Sequence, residues 1–206
     1  MTGKTLRELN LCAEPLMQGY AIKVPVFPYD RFPGFDPVPG PEMRSTGEAY
    51  GADADFGLAF AKGMMSAGHP LPIHGTVCLS VNDRDKDEVV PIARAFAELG
   101  FRLMATRGNA ERLTREGLDV EMVYKVNEGR PNVADRIHNG EVDLMINTPL
   151  GGPSFYDECA FRRAAVEHRT LILTTLSAAR AAVEGIRMLR KNVLTVNALQ
   201  DKKPTG

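Results

Sequence analysis

From Gly75 onward the chain alternates, five times over, between a short apolar run and a longer stretch with helical spacing. No other feature restricts the fold so strongly. The runs at 76–81 (TVCLSV), 101–106 (FRLMAT), 120–126 (VEMVYKV), 142–147 (VDLMIN) and 170–175 (TLILTT) are predicted strands. The intervals 87–99, 109–116, 132–139, 156–169 and 177–190 are predicted helices. Strands joined by helices of this length need parallel crossovers. The expected product is therefore an α/β fold, a five-stranded parallel doubly wound sheet of Rossmann-like form with helices on both faces. Pro91 falls inside the first of these helices, where it should cost roughly 3 kcal/mol unless the helix starts later or kinks.

Ahead of His74 the composition changes. Prolines recur every few residues through 24–41 (VPVFPYDRFPGFDPVPGP), which forbids a long helix and predicts an extended, packed coil. Residues 20–24 can form a short strand, and 54–67 place Phe56, Ala59, Phe60, Gly63 and Met64 at helical spacing, with Gly68 as C-cap and Pro70 and Pro72 as stops. The expected division is an irregular N-terminal segment, 1–73, and a doubly wound domain, 74–206.

Bulk properties narrow the function. With 25 Lys+Arg against 26 Asp+Glu, the net charge of −1 gives no field of the kind that draws nucleic acid or an anionic membrane, so any anion site must be local. Cys12, Cys78 and Cys159 are widely spaced and form no CxxC or Cys/His cluster, which argues against a disulfide framework or a structural zinc site. Residues 1–10 carry no apolar signal region and no run reaches membrane-spanning length, so a soluble, unprocessed, cytoplasmic protein is expected.

In an open parallel sheet, ligands bind beyond the carboxyl ends of the strands, where helix N-termini and loop amides converge. Four successive strand-to-helix junctions are polar here: Ser80, Asn82 and Lys86; Thr106, Arg107, Gly108 and Asn109; Lys125; and Asn147 with Thr148. The opposite turns carry only the C-cap pairs Leu99-Gly100, Glu116-Gly117 and Asn139-Gly140. Hydroxyls, amides and cations on one edge suit a phosphate. Taken singly, Ser80, Thr106 and Asn147 read as N-caps, Lys86 and Lys125 as solvated surface, and Arg107 equally as phosphate clamp or loop cation. The coincidence across four junctions favours the site. In INTPLGGPS (146–154), Gly151 and Gly152 then serve only as a permissive turn. The dispersed His69, His74, His138 and His168 read as surface or packing residues, and Asp157 and Glu158 as acidic partners of a helix N-terminus.

The stretches LCAEP, VFPYDRFPGFDP and GPEMRSTGE, and then LSVNDRDK, ATRGNA, VYKVNEGRPNVADRIHNGEVDLMINT and FRRAA, resemble the carboxyl-terminal end of the carbamoyl-phosphate synthetase large subunit over nearly the whole chain. The resemblance implies that 1–73 are the tail of an ATP-grasp synthetase unit and 74–206 an allosteric domain of methylglyoxal-synthase-like fold. It implies a nucleotide effector of uridine or inosine monophosphate type, ornithine near the junction with the catalytic body, and regulation of carbamoyl phosphate synthesis for the pyrimidine and arginine pathways. The remainder of the large subunit and a glutaminase small subunit are the implied partners. ATP and Mg or Mn serve the parent enzyme, with no cofactor, metal or catalytic residue implied in this segment.

Carried over by position, the effector-contacting residues are Ser80, Lys86, Thr106, Lys125 and Asn147; Asn109 and Pro149 stand where the pattern commonly has threonine. Asn109 keeps a donor and Pro149 offers none. An alternative is a methylglyoxal-synthase-type lyase acting on dihydroxyacetone phosphate, suggested by the similarity of Thr148-Pro149-Leu150-Gly151-Gly152 to a stretch of that family and by Asp157 downstream. Its carboxylate base is missing where Glu128-Gly129-Arg130-Pro131 stand. An inosine monophosphate cyclohydrolase reading fails at the same place, and a phosphate-binding module with no enzyme attached is the third possibility.

Overall fold

The computed structural model of the protein describes residues 3–10, 12, 18–28, 38, 44–149 and 155–198, the side chains of 155–157 excepted. Most of the proline-rich coil, the glycines of INTPLGGPS and the Asp157 side chain lie outside the described residues.

The N-terminal part is more regular than its composition suggests. β1 (Tyr20–Val26) pairs antiparallel with β2 (Gly47–Asp53), Tyr20 standing opposite Asp53 and Val26 opposite Gly47. The predicted strand at 20–24 is there and runs on through Pro25, whereas β2, with two glycines and little apolar alternation, gives no strand signal in the sequence. Its glycine is explained by what lies above it. α1 (Phe56–Ser66) packs so closely that a Cβ on Gly51 would sit 2.1 Å from the Gly63 nitrogen and 2.3 Å from the Ala59 oxygen. Asp55 caps α1 by accepting from the Leu58 N–H, and Gly68 at φ +85° ends it as expected.

The five predicted strands and five helices follow: β3 (Thr76–Ser80), α2 (Lys86–Glu98), β4 (Arg102–Thr106), α3 (Arg107–Arg115), β5 (Glu121–Val123), α4 (Val133–His138), β6 (Leu144–Asn147), α5 (Phe155–Glu167), β7 (Leu171–Leu173) and α6 (Leu176–Lys191). They form one parallel sheet in the order β5-β4-β3-β6-β7. A short 3-10 turn, Asp83–Asp85, leads into α2, which begins at Lys86 and passes through Pro91 rather than starting after it. β5 is shorter than predicted because the chain turns at 125–128, where the Glu128 N–H bonds the Lys125 carbonyl. The C-cap glycines behave as read: Gly100, Gly117 and Gly140 have φ of 74°, 79° and 69°.

The period of two along each strand sorts the core. Val77, Leu79, Leu103, Ala105, Leu144 and Ile146 face α2 and α6, and α1 with Leu71 joins that same core. Cys78, Met104 and Met145 face the other way, against Val133 and Ile137 of α4 and Phe161, Ala164 and Ala165 of α5. One step of two further along, the second set delivers Ser80, Thr106 and Asn147 to the carboxyl edge on the α4/α5 side. The order of the strands reverses between β3 and β6, where Ser80 lies in register with Asn147. This is the switch point at which open α/β sheets take ligands. Among the described residues no helix is long and apolar enough to cross a membrane.

Candidate functional site

The carboxyl ends of β3, β4 and β6 bring five of the predicted residues together in a buried polar cluster: Ser80, Thr106, Asn109, Asn147 and Thr148 are all under a tenth exposed. Their hydrogen bonds have a direction. Asn109 Nδ2 donates to the Val81 carbonyl and to Thr106 Oγ1, both at 3.1 Å, and Thr106 Oγ1 faces Ser80 Oγ at 3.5 Å. Thr106 thus accepts from one side and aims its O–H toward Ser80, whose own O–H has no acceptor among the described residues. Thr148 Oγ1 accepts from the Asn82 backbone N–H and from Asn82 Nδ2, each at 3.0 Å, which leaves its O–H to donate elsewhere. Two hydroxyl donors are thereby left facing the switch point.

The amides play a different part from the one read in the sequence. Asn109 spends both N–H bonds on protein, and its Oδ1 is buried with no partner. Asn147 is fully buried; its Nδ2 donates to the Ser80 carbonyl at 2.8 Å, and its Oδ1 accepts from Arg162 Nη1 at 3.0 Å. It ties β3 to β6 and fixes where Ser80 sits, using one of its two Nδ2 protons to do so. Arg162 itself is the largest fully buried side chain among the described residues, pairing with Glu158 at 3.3 Å and donating to Cys159 Sγ at 3.4 Å. Glu158, read as a partner of the helix dipole, also forms this ion pair. The sequence reading gave Arg162 no role. The signal was available: Glu158 and Arg162 are four apart on the helix face that Phe161, Ala164 and Ala165 bury, whereas Arg163 is exposed.

The cations converge from two sides. Lys86, the first residue of α2, lies over the first turn of α3: a Cβ on Gly108 would be 2.9 Å from its Nζ. Thr106 occupies the N-cap position of α3 but makes no capping bond, so the first N–H groups of that helix lack a side-chain partner from it. Lys86 pairs with the exposed Asp83 at 2.6 Å. That hydrogen bond, the Lys86 charge and, more weakly, Lys125 hold the Asp83 carboxyl below the ordinary carboxylate range, so the field of both lysines reaches the same place. Arg107 is exposed, its guanidinium 5.9 Å from the centre of the Tyr124 ring, at the rim and not in the buried cluster. Pro149 is exposed beyond Thr148. Among the described residues, the cluster of hydroxyls and lysines contains no set of His, Cys or carboxylate groups placed to hold a metal.

Residues 88–174 match the MGS-like domain family. The protein is 50% identical over 97% of its length to the carbamoyl phosphate synthase large chain of Acidobacterium capsulatum, covering 19% of that protein, and 46% identical over 99% of its length to that of Nostoc sp., covering 18%. It is 50% identical, over 88% of its length, to the separate C-terminal section of the Methanopyrus kandleri carbamoyl phosphate synthase large chain, covering 34% of it. Among solved structures, a methylglyoxal synthase from Elizabethkingia anophelis aligns with 55% of this protein and 79% of its own length at 22% identity, with a TM-score of 0.46. The sequence thus spans a fifth to a third of the curated relatives it matches. It contains an MGS-like domain and, over nearly its whole length, is similar to the C-terminal part of carbamoyl phosphate synthase large chains.

Proposed function

We propose that this protein is the effector-binding segment of a carbamoyl phosphate synthase large chain, and that it holds the phosphate of a nucleoside monophosphate, of uridine or inosine monophosphate type, at the carboxyl ends of β3, β4 and β6. The observation that carries the proposal is the directed series Asn109 to Thr106 to Ser80, which with Thr148 leaves hydroxyl donors at the switch point beside two lysines. Ser80 and Thr148 supply O–H donors, Thr106 turns its own O–H toward Ser80, α3 supplies backbone N–H groups, and Lys86 and Lys125 supply charge. Asn109 and Asn147 position these donors, and the unpaired Asn109 Oδ1 suits a polar occupant. Regulation would follow from tighter binding to one arrangement of this domain and the catalytic body than to another, since equal binding shifts nothing. The remaining large chain, a glutaminase small subunit, ornithine and the ATP and Mg or Mn of the synthetase belong to the same proposal.

The lyase alternative needs a carboxylate free to act as base. The acidic side chains described along this edge are engaged, Asp83 with Lys86, Asp85 with Asn82, Glu128 with the Lys125 N–H, Asp135 in the capping box of α4, and Glu158 with Arg162; the Asp157 side chain lies outside the described residues. Calorimetric titration with uridine monophosphate, inosine monophosphate and inorganic phosphate tests the site. Saturable binding is expected from a nucleotide, weakened about tenfold or more in Lys86→Ala, as befits loss of a charged hydrogen bond. Gly108→Ala should weaken it similarly by pushing Lys86 aside, without loss of stability, because the clash is with the end of a flexible side chain. Absence of binding by all three ligands sinks the site; turnover of dihydroxyacetone phosphate would favour the lyase.

A further inference from the structure

The histidines that look dispersed in the sequence are not all dispersed in space. His138 closes α4, Glu167 closes α5, and His168 follows it, so the packing of α4 on α5 brings the three side chains together at the amino edge of the sheet, opposite the polar cluster. The His138 and His168 ring centres are 4.2 Å apart, and one nitrogen from each imidazole and one Glu167 oxygen lie within 4.8 Å of one another. All three residues are exposed, and among the described residues none of their side chains forms a hydrogen bond or ion pair.

We propose that His138, Glu167 and His168 form a site for a borderline transition-metal ion, Zn2+ above all, that clips the end of α4 to the end of α5. The donor set decides the metal. Two imidazole nitrogens and one carboxylate oxygen suit Zn2+ with a water completing the tetrahedron, and do not suit Mg2+ or Ca2+, which demand more oxygen ligands. Bonds of about 2.0–2.2 Å place tetrahedral ligands about 3.3–3.5 Å apart. The separation here therefore has to shrink by little more than an ångström, which torsions of exposed side chains at helix ends can supply. The carboxyl-terminal end of the α5 dipole adds negative potential at the same place. Arg169, the next residue, lines the cavity that Pro25 and Phe27 of the N-terminal part also line. Such a clip would close the loop between residues 138 and 168, a segment that includes the β6 end of the polar cluster.

The test is titration of the tag-free protein with ZnCl2 at near-neutral pH, followed by calorimetry and by thermal melting, with Co2+ absorption reporting the ligand geometry. A single Zn2+ should bind, raise the melting temperature and be released by EDTA, and Mg2+ should do neither. His138→Ala and His168→Ala should each weaken Zn2+ binding by at least about tenfold while leaving the metal-free melting temperature unchanged, and His69→Ala should bind as the parent does. Zn2+ binding that survives the His138→Ala/His168→Ala double substitution, an equal response to Mg2+, or no binding would each overturn the assignment. None of these outcomes depends on whether a nucleotide binds at the opposite edge.

Discussion

Arg162 shows how a single residue can set a site it does not line. Its guanidinium is buried between α5 and the sheet, bonded to Asn147, Glu158 and Cys159, and through Asn147 it fixes the Ser80 carbonyl. A buried cation is tolerable only while its acceptors are in place. Arg162→Ala should therefore cost about 3–5 kcal/mol, as the buried Glu158 charge loses the Arg162 guanidinium. Replacing the pair together, Glu158→Leu with Arg162→Met, should cost much less, because no buried charge remains. Urea unfolding of the three proteins measures this; equal losses in the single and double variants would mean that Arg162 matters through volume rather than charge. The residue level is also where sequence reading was least complete. Ser80, Thr106, Asn109, Asn147 and Thr148 could be chosen from their position after strands, and they do converge. Which of them offers a donor, and which spends its donors on the protein, depends on contacts between residues such as Asn82 and Thr148, far apart in the sequence.

At the scale of elements, the parallel sheet was legible because hydrophobic period, connection length and C-cap glycines all point the same way. β2 was not, since Gly47–Asp53 is held by pairing with β1 and by the close approach of α1, neither of which leaves a periodic trace. That layer has its own electrostatic fastening. Asp53 of β2 pairs with Lys62 of α1 at 2.6 Å, both side chains less than a fifth exposed. Burial of the Asp53 carboxyl opposes its ionisation, but the Lys62 hydrogen bond and charge and the N–H groups of Asp55 and Ala54 outweigh it and leave its pKa below the ordinary value. A depressed carboxyl pKa stabilises the fold at pH values above the unfolded pKa of about 3.9, and that contribution is lost as pH falls through the lower folded value. The wild-type protein should lose this stability below about pH 4. Asp53→Asn should lack that part of the acid dependence and be less stable at neutral pH, on the order of 1 kcal/mol. Chemical denaturation across acidic pH reads both; an unchanged acid profile in Asp53→Asn would show that the pair does not fasten the layer.

For the whole molecule, the question is whether the N-terminal layer and the doubly wound sheet open as one unit. Packing argues that they do: Ala61 and Met64 of α1 and Leu71 share a core with the strands, α2 and α6, and Gly57 and Gly185 let α1 and α6 approach closely enough that a Cβ on Gly57 would lie 2.7 Å from the Glu184 oxygen. Two cysteines report on this. Cys12 is exposed, whereas Cys78 sits in the central strand, fully buried, with its thiol pushed up to about 12 by burial. Only a thiolate reacts with a disulfide reagent, so Cys78 can be modified only after β3 leaves the sheet. Cys12 should react at once in the native protein. Cys78 should react slowly, at a rate that rises with urea with the same slope as global unfolding, since no smaller opening exposes the middle of a strand flanked by β4 and β6. A nucleotide that binds the folded state should slow Cys78 by the factor 1 + [L]/Kd without touching Cys12, which gives a measure of affinity independent of heat. Modification of Cys78 with a slope well below the global one would instead mean that the sheet parts at the switch point between β3 and β6, the boundary that Asn147 and Arg162 tie together.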